Sequence, residues 1–319
     1  MPNETFDLTG RRVWVAGHRG LVGSALVRRL GSEPIGELVT ATSGQLDLRR
    51  QAEAERFVAA VRPDVVFLAA ARVGGIQANR RAPAAFLYDN LMIAANVIEA
   101  CRRHAVGKVV VLGSSCIYPR DAPQPIREEY LLGGPLETTN EGYAVAKIAA
   151  LELARMYRRQ YGLDAAALMP TNLYGPNDNF DLATSHVLPA LIRKVHDAKI
   201  TGADAITVWG TGTPRREFLH VDDLADATIF VTRHYRGEEH LNVGVGEDIS
   251  IRELAQLICQ VVGWDGQLVF DTSMPDGTPR KLLDVSKLNA LGWKASIGLA
   301  EGIESTYGWF VEKLAGSPT

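Results

Sequence analysis

Arg12-Val13-Trp14-Val15-Ala16, followed by Gly17-His18-Arg19-Gly20-Leu21-Val22-Gly23 and running on to Leu30, is the stretch that decides the fold. Its first five residues have the character of a strand, and Leu21, Val22, Ala25, Leu26 and Leu30 then recur at helical spacing. Between the two, glycines stand at i, i+3 and i+6. A turn of that kind at the mouth of a helix lets backbone approach a pyrophosphate, whose charge the helix N-terminus stabilises. An ordinary tight turn also uses glycine; the strand-turn-helix setting is what favours a dinucleotide.

Outward from this segment, Leu38-Val39-Thr40-Ala41, Val65-Val66-Phe67-Leu68-Ala69 and Val109-Val110-Val111-Leu112 read as further strands. Gln51 to Val61 and Asp89 to His104 read as the helices between them. Strands apolar on both sides belong to a parallel sheet covered on both faces. The expected fold is therefore α/β, a doubly wound parallel sheet (Rossmann) with a smaller, mainly C-terminal α/β substrate lobe. From about Asn177 the rhythm breaks: His186 to His196 reads as a helix and Gly210-Thr211-Gly212-Thr213-Pro214 as a turn. Val221-Asp222-Asp223-Leu224-Ala225 reads as a helix start with Asp222 as N-cap, and Leu241-Asn242-Val243-Gly244 as a return to the sheet. The predicted division is 1–176 with 217–246 for the dinucleotide, and 177–216 with 247–319 for the substrate.

Composition narrows the partners. The 319 residues carry 34 Lys and Arg against 37 Asp and Glu, a formal charge of -3, with no block of like charge to grip nucleic acid or an anionic membrane. The N-terminal residues lack the pattern of a secretory signal, and no apolar run approaches the roughly 20 residues that span a bilayer. Cys101, Cys116 and Cys259 are odd in number and far apart, which suits neither a disulfide framework nor a zinc ligand set. A cytoplasmic protein, with no nucleic-acid or membrane partner, is expected.

Arg19 inside the glycine loop can meet a 2′-phosphate, and no acidic residue ends the second strand, Val39 to Ser43, to take a free 2′-hydroxyl. This favours NADP(H) over NAD; Thr42-Ser43-Gly44 supplies no second arginine, and a solvated surface charge is the plain alternative for Arg19. Tyr143-Ala144-Val145-Ala146-Lys147 sets a phenol and an ammonium on one helix face, where the cation is expected to favour the phenolate. Such a tyrosine exchanges a proton with a carbonyl oxygen as hydride moves. Alone the pair would read as a surface contact, but Gly113-Ser114-Ser115-Cys116-Ile117-Tyr118-Pro119 follows the fourth apolar strand, where ligands sit in doubly wound sheets. Loop, serine and Tyr/Lys pair in this order resemble the extended short-chain dehydrogenase/reductase family, whose Ser-Tyr-Lys triad matches Ser114, Tyr143 and Lys147.

More specific segments are Ala69-Ala70-Ala71-Arg72-Val73-Gly74-Gly75-Ile76, Met169-Pro170-Thr171-Asn172-Leu173-Tyr174-Gly175-Pro176, Ser185-His186-Val187-Leu188-Pro189, and Trp209 through Asp223. With these the whole chain resembles the family branch that epimerises and reduces GDP-4-keto-6-deoxy-D-mannose with NADPH. That resemblance implies Cys116 and His186 as the acid/base pair at carbons 3 and 5, and Tyr143 as proton donor during reduction. It implies a cofactor lining of Gly17, His18, Arg19, Gly20, Leu21, Val22 and Gly23, then Leu112, Gly113, Ser114, Ser115, Tyr143, Lys147, Pro170, Thr171, Asn172, Leu173 and His186. It assigns Lys194, Trp209, Arg216 and Asp276 to the substrate; arginine is common in the family where Lys194 stands, and lysine loses the bidentate fork. A homodimer through helices that include Asp89 to His104 and Tyr143 to Tyr161 is implied, and no metal. The rivals are a GDP-colitose synthase, a UDP-sugar 4-epimerase with tightly held NAD, and a non-catalytic NADP-binding protein.

Overall fold

The computed structural model describes residues 6–274 and 276–315. The remaining positions, among them Pro275 of the 275–279 segment, lie outside the described residues. In chain order come β1 (Arg12–Ala16), α1 (Leu21–Leu30), β2 (Glu37–Val39), α2 (Gln51–Val61), β3 (Val65–Leu68), a short α3 (Ile76–Arg81), α4 (Pro83–Arg103) and β4 (Lys108–Leu112). There follow α5 (Glu141–Tyr161), β5 (Ala165–Pro170), β6 (Asn172–Tyr174), α6 (Val187–Thr201), β7 (Ala205–Trp209), β8 (Arg215–Arg216), β9 (Phe218–His220), α7 (Val221–His234) and β10 (Leu241–Val243). The chain closes with β11 (Ile249–Ser250), α8 (Ile251–Val262), β12 (Gln267–Asp271), β13 (Arg280–Lys281), α9 (Ser286–Ala290) and α10 (Leu299–Ala315).

Six strands form one parallel sheet in the order β10-β5-β4-β3-β1-β2. β3, β4 and β5 are buried along their whole length because helices cover both faces. One core joins Val66, Val109 and Val111 to α2, α4 and α5 through Val58, Val97, Ile98 and Leu151. The other joins Val15, Phe67 and Val110 to α1 and α7 through Leu26, Leu224 and Ile229. This is the doubly wound fold that the apolar strands implied. The order reverses about β1, with β2 on one side and β3 on the other, and ligands bind outside the carboxyl ends of strands at such a point.

A third core gathers Leu188, Ile192 and Val195 of α6, Leu254 and Ile258 of α8, and Ile303 and Phe310 of α10. Phe180 stacks on Phe310 with ring centres 4.5 Å apart. Beside it lie a three-stranded sheet, β11-β8-β13, and two strand pairs, β12-β7 and β6-β9. α8 starts with a capping box in which Ser250 and Glu253 each take the other's backbone N–H.

Several local expectations are corrected. β2 stops at Val39, and Thr42 instead enters a turn in which Gln45 Oε1 accepts from Thr42 N and Oγ1, both at 2.9 Å. α7 is capped by His220, not Asp222: the His220 ring accepts from Asp222 N at 3.3 Å, and Asp222 sits in the first turn facing Arg28 at 2.5 Å. The helix read from His186 begins at Val187, with His186 as its N-cap. α4 is, by length and composition, apolar enough to cross a bilayer, contrary to the expectation that nothing approached that limit. Its apolar length is explained by packing, since it buries Phe86, Val97, Ile98 and Cys101 and carries Asp89, Asn90 and Asn96 among its buried residues.

Candidate active site

The glycine loop leaves β1 at Gly17, whose φ of +86° favours a residue without Cβ. A Cβ there would stand 2.6 Å from the backbone of Ala70, and one on Gly23 would stand 2.1 Å from Gly17 O. The fold itself requires these two glycines. Gly20 differs: it caps α1 at an ordinary φ of -77°, and the nearest protein atom to an added Cβ is 3.6 Å away. Its missing side chain clears space in front of the helix N-terminus, where a diphosphate would sit. Arg19, exposed beside it, makes no hydrogen bond or ion pair among the described residues, so its guanidinium is available to an anion. The loop thus fits a phosphorylated dinucleotide.

Next along the carboxyl edge of the sheet, β4 delivers Leu112, Gly113 and Ser114. Ser114 Oγ accepts from Cys116 N at 3.4 Å and caps a short 3-10 turn, Ser115–Ile117, which places the Cys116 thiol in a buried position. Below that turn, the Tyr118 hydroxyl donates to Asn242 Oδ1 of β10 at 2.6 Å and lies 2.9 Å from His240 Nε2, which fixes the segment to the sheet. Tyr143 and Lys147 stand one turn apart on α5. Lys147 Nζ donates to the Leu112 carbonyl at 2.7 Å and lies 5.7 Å from the centre of the Tyr143 ring.

The electrostatics of this set differ from the expectation. Burial pushes the Tyr143 phenol well above its ordinary range, and the neighbouring Cys116 acts in the same direction. The expected lowering by Lys147 does not appear, because the ammonium is directed at a carbonyl and is itself desolvated. Burial brings Lys147 down to about 8, with Cys116 opposing. Burial also raises the Cys116 thiol; Lys281, the Ser114 hydrogen bond and Lys147 pull it back in that order. Solvent reaches His186, yet the cleft walls remove enough water to lower its pKa. The free protein therefore holds a neutral thiol and phenol beside the Lys147 ammonium.

His186 is braced by a motif whose purpose sequence reading left open. Asn79 Nδ2 donates to the carbonyls of Gly74 at 2.8 Å and Gly75 at 3.1 Å, and Gly75 N donates to Thr184 O at 3.1 Å. A Cβ on Gly75 would come within 3.1 Å of Ser185 O, so the glycine lets this turn lie against the residues preceding His186. At the end of β5, Thr171 and Asn172 turn their side chains onto the Glu217 carbonyl, at 3.2 and 2.8 Å.

The substrate-side residues form a second group. Lys194 Nζ donates to Thr207 O at 2.9 Å and lies 5.5 Å from the centre of the Trp209 ring, which is 53% exposed. Trp209 leads into the 210–212 turn, where Asp276 accepts from Thr211 N at 2.7 Å and from Thr211 Oγ1 at 2.9 Å. Arg216 is lowered by desolvation, and Asp276 opposes that shift. Sequence reading missed Lys281: in β13 it is the register partner of Arg216, and it interacts with both Cys116 and Arg216. Burial lowers its pKa, Cys116 works against that, and Arg216 adds to it. Lys281 joins the two groups into one line from Tyr143 and Cys116 to Arg216 and Asp276. A lysine on a two-residue strand carries no motif signal; only the pairing reveals it.

The family described as NAD dependent epimerase/dehydratase matches residues 13–244. A rice (Oryza sativa subsp. japonica) protein named "Probable GDP-L-fucose synthase 1" is 57% identical over 306 residues, covering 96% of this chain and 93% of the relative. The GDP-L-fucose synthase of Escherichia coli is 52% identical over 314 residues, covering 96% and 98%. Among solved structures, a GDP-L-fucose synthetase from Naegleria fowleri bound to NADP superposes with a TM-score of 0.90 at 29% identity, covering 99% of each chain.

Proposed function

The chain belongs to the NAD dependent epimerase/dehydratase family, and from that premise we propose that it converts GDP-4-keto-6-deoxy-D-mannose to GDP-L-fucose by 3,5-epimerisation and NADPH-dependent 4-reduction. One observation carries the reading: a buried thiol, Cys116, stands inside the Ser114, Tyr143 and Lys147 set and interacts with Tyr143. Ketone reduction alone needs a proton donor and a cation. Inversion beside a ketone needs, in addition, groups that remove and return carbon-bound protons, and a thiol beside Ser114 with an imidazole at the start of α6 supplies them.

In this mechanism Arg216 and Lys194 hold the diphosphate, and Trp209 packs against the nucleotide or sugar. Ser114 and Tyr143 donate hydrogen bonds to the C4 oxygen and stabilise the negative charge that gathers there when a proton leaves carbon 3 or 5. Cys116 and His186 move those protons. NADPH, when bound, supplies the hydride that reduces C4. Tyr143 gives its proton to the C4 oxygen, and Lys147 orients the cofactor ribose and supplies the cation that offsets a tyrosinate. Gly17 to Gly23 would hold the pyrophosphate, and Arg19 would supply a cation for the 2′-phosphate.

The same reading divides the chain into a cofactor part, 1–176 with 217–246, and a substrate lobe, 177–216 with 247–319. It includes a homodimer through α4 and α5, supported by exposed Tyr88 and Leu91 on α4 and Val145, Met156 and Tyr161 on α5. It also places the protein in a reducing cytoplasm, in keeping with three free, buried cysteines. The test is NADPH oxidation with GDP-4-keto-6-deoxy-D-mannose in deuterated water. Oxidation with deuterium at carbons 3 and 5 is the expected result. Oxidation without deuterium would leave a plain ketoreductase.

A further inference from the structure

Glu217 is fully buried, and its carboxylate is held chiefly by backbone N–H groups, with the Thr171 side chain also interacting with it. Oε1 accepts from Val245 N at 2.7 Å and Gly246 N at 2.8 Å, in the segment after β10. Oε2 accepts from Leu283 N at 3.0 Å, two residues beyond Lys281. Gly244 is fitted to it, since a Cβ there would lie 2.2 Å from Oε1. The backbone of Glu217 is equally engaged: its N–H donates to Lys281 O at 3.3 Å, and its carbonyl accepts from Thr171 and Asn172 at the end of β5. The residue lies where the chain leaves β8, which carries Arg216, for β9, which pairs with β6. A carboxylate that gathers three backbone N–H groups from two separate segments is unusual in a protein interior, where a charge costs free energy unless several donors offset it.

We infer that Glu217 is a positioning residue: its carboxylate fixes the 281–283 segment, which follows from β13, against the edge of the parallel sheet and so sets Lys281, with Arg216 beside it, over the substrate's anionic group. This rests on the proposed function, which assigns that anion to a nucleoside diphosphate sugar. The cofactor side hangs mainly on the Glu217 carbonyl, which accepts from Thr171 Oγ1 at 3.2 Å and Asn172 Nδ2 at 2.8 Å, with Thr171 alone also touching the carboxyl, so the side chain acts chiefly on the substrate half.

Glu217→Gln tests this. The amide keeps one oxygen for Val245 and Gly246 but turns an N–H₂ toward Leu283 N–H, donor against donor. For the full-length enzyme, KM for GDP-4-keto-6-deoxy-D-mannose and Kd for GDP are expected to rise about tenfold, with kcat changed less and NADPH affinity retained. Because the effect runs through Lys281, adding Glu217→Gln to Lys281→Met is expected to raise KM no further than Lys281→Met alone. Gln124→Ala supplies a second route if the first variant does not fold. Gln124 Oε1 accepts from Leu282 N at 2.8 Å, so its loss loosens the same segment from the other side and is expected to raise KM by a smaller factor. An unchanged KM in the variant that folds, an equal loss of NADPH affinity, or full additivity with Lys281→Met would overturn the inference. A wild-type enzyme that neither binds GDP nor turns over the sugar would instead sink the functional reading.

Discussion

The Lys147 ammonium donates to the Leu112 carbonyl at 2.7 Å, so the cation beneath Tyr143 is tied to the end of β4 while its burial lowers its pKa to about 8. A lysine is charged below its folded pKa and neutral above it, so the free enzyme keeps this cation at neutral pH and loses it as pH rises through about 8. If the ammonium holds the cofactor, NADPH affinity is flat on the acid side and weakens by up to about tenfold per pH unit above the transition, with a proton taken up on binding. Fluorescence titration across this range, with calorimetry in two buffers, measures both effects. Lys147→Arg keeps its charge throughout and should remove the slope.

Tyr143→Phe removes the proton donor but leaves Cys116 and His186 in place. NADPH oxidation should fall by about 10²–10⁴-fold while deuterium still enters carbons 3 and 5 of the sugar. Rapid-quench mass spectrometry resolves the two signals. Loss of both together would mean that Tyr143, rather than Ser114, carries most of the stabilisation of the C4 oxygen during the inversions.

The parts of this chemistry legible in the sequence were those encoded locally. Val13 to Ala16, the glycine loop and Leu21 to Leu30 announce β1, the turn and α1 because period and punctuation agree, and α2 was read to its observed ends. β5 went unread because Ala165-Ala166-Ala167 lacks the branched side chains that mark a strand; burial between two helical layers, rather than propensity, makes it one. The cap of α7 was misplaced because Asp222 is the commoner capping type, whereas His220 is held at that position by β9. Lys281 and Glu217 depend on pairing between segments far apart in the chain. The electrostatic balance was likewise hidden: spacing puts Lys147 below Tyr143 but does not reveal the carbonyl that takes its proton donors or the burial that outweighs its field.

The Cys116 thiol is raised by burial and drawn down most by Lys281. Its alkylation by iodoacetamide, followed on the Cys116 peptide by mass spectrometry, should therefore titrate above the ordinary cysteine range. Lys281→Met removes the principal opposing cation and should move the transition to still higher pH, slowing reaction at neutral pH. A profile unmoved by that substitution would mean that Lys281 does not act on the thiol.

The glycine loop offers a separation of fold from binding. Gly17→Ala combines a φ of +86° with a Cβ placed 2.6 Å from the Ala70 backbone, neither of which a side-chain rotation relieves. A loss of about 1–3 kcal/mol of stability or more follows, seen as a lower Tm, with cofactor binding falling alongside. Gly20→Ala meets neither obstacle, since its φ of -77° suits alanine and the nearest atom to the new Cβ is 3.6 Å away. Its methyl group instead occupies space in front of the α1 N-terminus. The unliganded Tm should stay within about the change that a surface substitution gives, ±0.5 kcal/mol in stability, while NADPH affinity drops by tenfold or more, on the order of 1.4 kcal/mol. Differential scanning fluorimetry without and with NADPH reads both quantities on the same sample. Retained affinity in Gly20→Ala would place the pyrophosphate elsewhere than against the start of α1.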